Sequence, residues 1–242
     1  MKPDVVIPLR SRSKWDNREL CFCLRSIDQH LKNYGKVYVV TDRAPGWLRN
    51  VEIVECADVQ HRPQWTTTMK LIRAWEAGAS EDVIVFNDDF FLTQDEDAAT
   101  YPYRYLRLLG EVELKARGGP YTRAISNTVE YLNRRGVAQP KHFGVHCPII
   151  YNREKFDECV LCVDWSPRAE YLARLLYGNL VNVKTLKSDD CKLYHERKPE
   201  VLANEVAEAP FFSIADEAIG AGMQAYLMTL YPEKSRFETV QR

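Results

Sequence analysis

Four short runs rich in β-branched residues, at 5–9, 36–41, 51–54 and 82–86, constrain this chain more than any other feature. They are too short for helices and read as strands, and 82–86 carries apolar residues at successive positions, the pattern of a strand buried on both faces. Between them lie stretches of helical period. Leu20, Leu24, Ile27 and Leu31 form one apolar stripe behind Asp16 or Asn17 as N-cap, and Gly35 is expected to end that helix. Pro45-Gly46 marks a turn. Residues 66–77 read as a second helix, with Met69, Ile72 and either Ala74 or Trp75 inward and Gly78 and Ser80 at its close. The order β, α, β, β, α, β predicts a mixed, mostly parallel α/β sheet with helices on both faces, because parallel neighbours need crossover connections. Such sheets bind ligands beyond the carboxyl ends of their strands, where Arg10, Arg12, Asp42, Asp88 and Asp89 all fall. Neither Gly-x-Gly-x-x-Gly nor a Walker pattern is present, which counts against dinucleotide and P-loop sites.

After residue 97 the rhythm changes. Residues 101–115 read as a helix, 117–120 as a loop, 125–135 as a helix ending at Gly136, and 142–151 as a strand that Pro148 assigns to an edge or a bulge. Ser166-Pro167 opens a helix to Tyr177, residues 181–186 make another strand, and 213–230 make a last helix. No repeat or low-complexity linker interrupts this order, so the 242 residues are read as one domain of two halves, 1–97 and 98–242. A content of 45% hydrophobic and 28% charged residues, with a mean hydropathy of −0.39, argues against disorder and against a membrane-embedded chain. The opening apolar run is too short for a signal-peptide core, and no stretch approaches the ~18 apolar residues of a membrane span. Seven cysteines, an odd number, fit reduced thiols, and a cytoplasmic location is expected. Lys and Arg number 33 against 34 Asp and Glu, so an anionic partner has to be met by a local patch rather than by net charge.

Asn87-Asp88-Asp89 follows directly on a buried strand, where uncompensated charge is costly. Two carboxylates at a strand terminus can hold a hard divalent cation, Mn²⁺ or Mg²⁺, that bridges the phosphates of a nucleotide and stabilises a leaving diphosphate. The competing explanation is that one aspartate caps a turn while the other pairs with an arginine. Arg10 and Arg12 match a donor diphosphate in geometry, or are solvated loop residues. Lys70, one turn into its helix, can reach a phosphate, or is an ordinary exposed helical lysine.

Residues 16–92 resemble the core of the Stealth proteins, the sugar-1-phosphate transferases of capsular polysaccharide synthesis and lysosomal enzyme tagging. The matching pieces are Asp16-Asn17-x-Glu19-Leu20 with Leu24-Arg25-Ser26-Ile27, Val39-Val40-Thr41-Asp42, Pro45-x-Trp47-Leu48 and Phe86-Asn87-Asp88-Asp89-Phe90-Phe91. Arg10-Ser11-Arg12-Ser13 stands where that family has its own opening loop. More broadly, the arrangement is similar to glycosyltransferases of the GT-A class, whose acidic motif holds a metal beneath a sugar nucleotide. The resemblance implies a nucleotide-sugar donor, UDP-linked, with Asp88 and Asp89 on the metal. It also implies Asn87 beside the donor and Asp42 accepting hydrogen bonds from uracil or ribose, unless Asp42 merely terminates its strand.

The same resemblance draws attention to two places in the second half. His146-Cys147-Pro148 is similar to a His-x-Pro segment of the family, which implies His146 as general base for an acceptor hydroxyl or as a phosphate ligand; a packed structural histidine is the alternative. Asp216 matches an acidic segment late in the family and implies a catalytic carboxylate, although Ser213-x-x-Asp216 also reads as a capping box. Lys187-Ser188-Asp189-Asp190 reads as a surface loop. Basic residues interleaved with tyrosines between 103 and 141 suit a carbohydrate or nucleic-acid acceptor, or form a solvated helical face. The resulting expectation is a metal-dependent glycosyltransferase of GT-A type, with a donor half at 1–97 and an acceptor half at 98–242. Transfer of a sugar phosphate, glycosylation of a base in DNA, and nucleotide or carbohydrate binding without turnover stand as the other readings.

Overall fold

The computed structural model describes residues 2–10, 13–109, 119–166 and 169–239. Its main sheet has five strands. β1 (Asp4–Pro8) leads through α1 (Glu19–His30) and a short β2 (Leu31–Lys32) to β3 (Val37–Thr41) and β4 (Glu52–Glu55). Helix α2 (Pro63–Glu76) then returns the chain to β5 (Asp82–Val85) on the other side of β1. The spatial order is β4-β3-β1-β5, all parallel, with Val6 opposite both Tyr38 and Val85. The strand order therefore reverses at β1, which opens a crevice at the carboxyl ends of β1 and β5.

Side chains alternate between two cores. Val5, Ile7, Val37, Val39 and Ile84 pack with Leu20, Leu24 and Ile27 of α1. Val6, Tyr38, Val40, Val83 and Val85 pack with Leu71, Ala74 and Trp75 of α2. This is the expected sheet with helices on both faces. Helix α2 is turned slightly from its expected face, so that Lys70 lies inside while Met69 and Ile72 are half-buried. Gly78, at φ +97°, ends α2 as its position predicts. Gly35 does not end α1, which has already stopped at His30. It lies under β1 instead, where a Cβ would meet Asp4 Oδ1 at 2.2 Å.

Beyond β5 the chain turns at once into β6 (Phe90–Leu92), followed by β7 (Glu96–Asp97) and β8 (Tyr103–Tyr105). The expected helix at 101–115 is thus a strand and irregular chain up to residue 109, and 110–118 lie outside the described residues. The reason is packing: Tyr103 stacks on Tyr177 and Tyr105 leans on Phe143, which spends the tyrosines on the core. Helix α3 (Pro120–Arg134) matches its prediction and starts earlier, with proline at its first turn. Of the strand expected at 142–151, only β9 (Ile149–Asn152) forms, antiparallel on the edge beside β5. Helices α4 (Arg153–Cys159) and α5 (Ala173–Leu180) follow, then β10 (Thr185–Lys187) and β11 (Lys192–Leu193). Helix α5 begins after the predicted Ser166-Pro167 start.

The last segment departs most from expectation. Helix α6 (Pro199–Val206) precedes β12 (Phe211–Ile214), a 3₁₀ turn at Asp216–Ala218 and α7 (Ala221–Leu230). Ser213 is therefore a buried strand residue, and the Ser213/Asp216 capping box does not form. The apolar run 211–214 is pulled into a second sheet, where β12 pairs antiparallel with β6 and parallel with β11. No helix among the described residues is long and apolar enough to cross a membrane.

A C-terminal clasp closes the molecule. Arg25 of α1 donates from Nε and Nη2 to the two oxygens of Glu238 at 2.8 Å each, and from Nη1 to the Tyr231 carbonyl at 3.0 Å. The amides of Arg49 and Thr239 complete the seam with Phe237 and Trp47 carbonyls. Burial raises the Glu238 carboxyl, but the guanidinium and the Ser235 amide outweigh it and hold it below the usual range. Side chains of both partners are largely buried, at 14% and 7% exposed, so removal of one leaves an unpaired buried charge. Arg25→Met is expected to cost about 3 kcal/mol, or about 6–12 °C in a thermal melt. Arg25→Met combined with Glu238→Gln should recover part of that loss; a single variant within about 1 kcal/mol of the parent would show that the clasp does not bear on stability.

Candidate functional site

A cleft of about 750 Å³ lies at the carboxyl ends of β1 and β3, on the side of β1 away from β5, and Arg10, Asp42, Asp58, Arg62 and Lys70 line it. Three of the residues predicted to hold a donor, Arg10, Asp42 and Lys70, therefore share one wall system. Arg12 lies outside the described residues. Lys70 is no exposed helical lysine: it is 1% exposed, and its ammonium donates to the Leu9 carbonyl at 2.6 Å and to Asp58 at 2.5 Å. Lys70 is thus held beneath the end of β1 as one half of an ion pair with Asp58. Arg62 is held by the carbonyls of Trp165 and Ser166, beside Glu170.

The loop before α1 forms the next wall. Asp16 and Asn17 adopt left-handed backbone, φ 54° and 57°, and neither caps the helix, which starts at Glu19 without a side-chain cap. Instead Ser13 and Asn17 bond each other: the Asn17 amide donates to Ser13 Oγ at 2.6 Å, and the Ser13 amide to Asn17 Oδ1 at 3.1 Å. Asn17 Nδ2 also donates to the Arg10 carbonyl, tying the loop to the cleft. This cross-brace delivers Glu19, 3% exposed, toward the acidic turn.

Asn87, Asp88 and Asp89 make the turn between β5 and β6, closed by the Phe90 amide donating to the Asn87 carbonyl at 3.2 Å. Asn87 is exposed and the two aspartates are half-buried. Desolvation pushes both aspartates up, Asp89 to about 6 despite the nearby charges of Lys192 and His146. Asp88 rises well above its ordinary range through desolvation, then through the charges of Asp89, Glu19 and Asp216. Glu19 is raised by burial, with Asp216 and Asp16 adding to the rise, and its Oε2 has no hydrogen-bond partner. Asp216 thus sits within electrostatic reach of the pair, carried there by β12. Neither aspartate is paired with an arginine among the bonds and ion pairs of the described residues.

This donor set fits a hard divalent cation. Its carboxylates carry uncompensated negative charge, and one buried oxygen is orphaned. Among the described residues no three His, Cys, Asp or Glu side chains form a ready-made cage. Mg²⁺-type ions are commonly bound by one or two carboxylates together with substrate phosphates.

A second, more enclosed cavity of about 210 Å³ lies behind Asn87 and Phe90, against β9 and α5. Gln64, Thr67, Asn87, His146, Tyr121 and Arg174 supply its polar lining, and Thr67 also lines the larger cleft, so the two spaces share a wall of α2. Arg174 fastens the segment carrying His146 by donating to the carbonyls of Val145 and Cys147. Asp190, expected in a surface loop, is half-buried and accepts from the His146 amide at 2.9 Å, while its other oxygen meets His146 Nδ1 at 2.7 Å. Burial raises Asp190, but the bonds from the His146 ring and amide and the charge of Lys192 bring it below the ordinary range.

The residues missed by sequence reasoning are Asp190, Lys192, Arg174 and Tyr121, together with the buried role of Glu19. Glu19 stands in the Asp16-Asn17-x-Glu19 piece, and that is the signal by which it could have been found. Asp190 has only its acidic neighbour to mark it. The basic stretch at 103–141 is partly spent internally: Arg104 pairs with Glu96 at 2.8 Å over the rings of Tyr101 and Phe211, and Lys141 bonds Thr185.

The raised Asp89 carboxyl has a definite effect on stability. A group that holds its proton more tightly when folded stabilises fully below its unfolded value of 3.8, and that contribution is lost as the pH rises to about 6. Thermal melts of the metal-free parent minus those of Asp89→Asn should therefore fall across this window, with the variant the more stable at neutral pH. Each kcal/mol relieved should appear as about 2–4 °C. A difference curve that is flat, or that rises with pH, would contradict the burial of an uncompensated charge here.

Neither models of known protein families nor curated protein sequences match this chain.

Proposed function

We propose that this chain is a metal-dependent glycosyltransferase of GT-A type that moves a sugar from a UDP-linked donor to a hydroxyl acceptor. The observation that carries the reading is the placement of two spaces at the carboxyl ends of parallel strands. A cleft with Arg10 and Lys70 on its wall shares Thr67 with the smaller cavity, which Asn87 lines; Asn87 belongs to the turn whose two carboxylates no ion pair neutralises among the described residues. A cation would supply the charge missing at the acidic turn, and a nucleotide diphosphate would meet Arg10 in the cleft.

In this reading Arg10 meets the donor phosphates as they seat at the end of β1, with Lys70 and its partner Asp58 beneath. Asp42, at the end of β3, faces the ribose or base. Asp88 and Asp89 hold Mn²⁺ or Mg²⁺, which would neutralise the diphosphate as it leaves. Asn87 joins the acidic turn to the enclosed cavity, where the acceptor approaches. Asp216 and Glu19 add negative charge behind the pair and favour the cation-bound state; Asp216 acts at this distance rather than as the attacking base. The likeness to Stealth proteins raises sugar-phosphate transfer as the neighbouring chemistry, and the product separates the two: UDP for glycosyl transfer, UMP for the phosphate.

A thermal-shift panel of nucleotide sugars with and without Mn²⁺ tests this directly. At about a hundredfold excess over Kd, a bound donor stabilises by about 2.7 kcal/mol, or about 5–10 °C here. The shift should require Mn²⁺, favour UDP-linked donors and vanish in Asp88→Asn and Asp89→Asn, both of which should still fold. Absence of any Mn²⁺-dependent shift across the panel would remove the proposal's support, and a shift indifferent to metal would favour a binding protein without turnover.

A further inference from the structure

The pairing of His146 with Asp190 is not explained by donor binding. Asp190 stands immediately before β11, and β11 is fixed by its pairing with β12, where the Ser213 amide donates to the Cys191 carbonyl at 2.9 Å. From this rigid edge one carboxylate oxygen takes the His146 backbone N–H and the other takes the ring. Two bonds from one carboxylate fix both the main chain and the ring plane of the same residue. The ring is also held edge-on to Phe90 at 6.5 Å between centroids. With Nδ1 engaged, Nε2 is the ring nitrogen left to serve the enclosed cavity that His146 lines.

That cavity has the character of a small-ligand subsite. Phe90, Phe143, Tyr151 and Phe156 make its apolar walls, with a few polar groups at one side. At about 210 Å³ it exceeds the ~150 Å³ cavity that holds a benzene ring, so it has room for one saturated ring bearing hydroxyls.

We infer that the enclosed cavity is the subsite for a single hydroxyl-bearing sugar ring of the acceptor, that His146 Nε2 receives the proton of its reacting hydroxyl, and that Asp190 is the positioning residue that holds the imidazole for this. The inference rests on the glycosyltransferase reading above. The acceptor O–H bond breaks and its proton goes to Nε2. The acceptor oxygen forms a bond to the donor's anomeric carbon, and the bond from that carbon to the diphosphate oxygen breaks, its electron pair leaving with UDP. Asp190 never touches the substrate: as a carboxylate it accepts from Nδ1–H, fixes the tautomer with a lone pair on Nε2, and steadies the imidazolium once formed.

The first measurement needs no substrate. Long-range ¹H–¹⁵N spectra of the histidine-labelled full chain, which has five histidines, report each ring's tautomer. His146 should be Nδ1–H in the parent and shift toward Nε2–H in Asp190→Asn, whose amide can donate to Nδ1. The second follows UDP release from the sugar nucleotide giving the largest thermal shift, with monosaccharides as acceptors. Asp190→Asn should lower kcat by about 10²–10⁴-fold with donor KM and the nucleotide–Mn²⁺ shift unchanged, and Asp190→Glu should restore part of it. Ala173→Leu, which narrows the cavity, should raise acceptor KM at least about tenfold without moving donor KM. An Nε2–H ring in the parent, a kcat within about threefold in Asp190→Asn, or an unmoved acceptor KM in Ala173→Leu would overturn the inference. Should Asp190→Asn fail to fold, the parent's tautomer and Asp190→Glu still decide. A nucleotide–Mn²⁺ shift that is absent already in the parent marks failure of the glycosyltransferase reading instead, which leaves the tautomer result standing by itself.

Discussion

Everything around the candidate site depends on the way the chain leaves β5. That strand is buried on both faces, and only a four-residue turn separates its core from the buried β6 of a second sheet. Asp88 and Asp89 occupy that turn, so they can neither extend into solvent as a loop would allow nor retreat into hydrocarbon. The Ile214 amide donates to the Asp89 carbonyl at 3.3 Å, which binds the turn to β12 as well. Charge is thereby held where its solvation is poor, and the local shifts in acidity follow from that confinement.

The second sheet does more than cover the turn. Its strands come from three distant parts of the chain, and each ends beside the acidic pair with a polar residue of its own. β6 begins after Asp89, β12 leads to Asp216, and β11 begins at Lys192, two residues after Asp190. Lys192 and His146 soften the rise of Asp89, whereas Asp216 and Glu19 add to that of Asp88. Glu19 adds to the rise of both aspartates.

Several pieces of the likeness to Stealth proteins have a structural explanation in this chain. Arg25, in Leu24-Arg25-Ser26-Ile27, is the centre of the C-terminal clasp, and Trp47-Leu48 forms the seam that residues 237–239 zip onto. Asn17 braces the loop that carries Arg10. Arg25 and Trp47-Leu48 thus hold the C-terminal segment to the body of the molecule, and Asn17 ties its loop to the Arg10 carbonyl.

Local pattern was enough for the first half of the chain. Successive apolar residues, bounded by turn residues, report strands buried on both sides, and the alternation of such strands with amphipathic helices dictates parallel neighbours and a crevice at their ends. The acidic turn was legible because charge directly after a buried strand is an anomaly in one short window. Tertiary structure alone decided the rest. The tyrosine-rich stretch near 103 became strand because its rings pack against Tyr177 and Phe143. Residues 211–214 joined a sheet because β6, about 120 positions earlier, offered an unpaired edge. Lys70 was buried by the turn of α2, and Asp190 met His146 only because β11 pairs with β12. Such contacts join residues far apart in the chain, and no local period of hydrophobicity encodes which distant strand will pair with which.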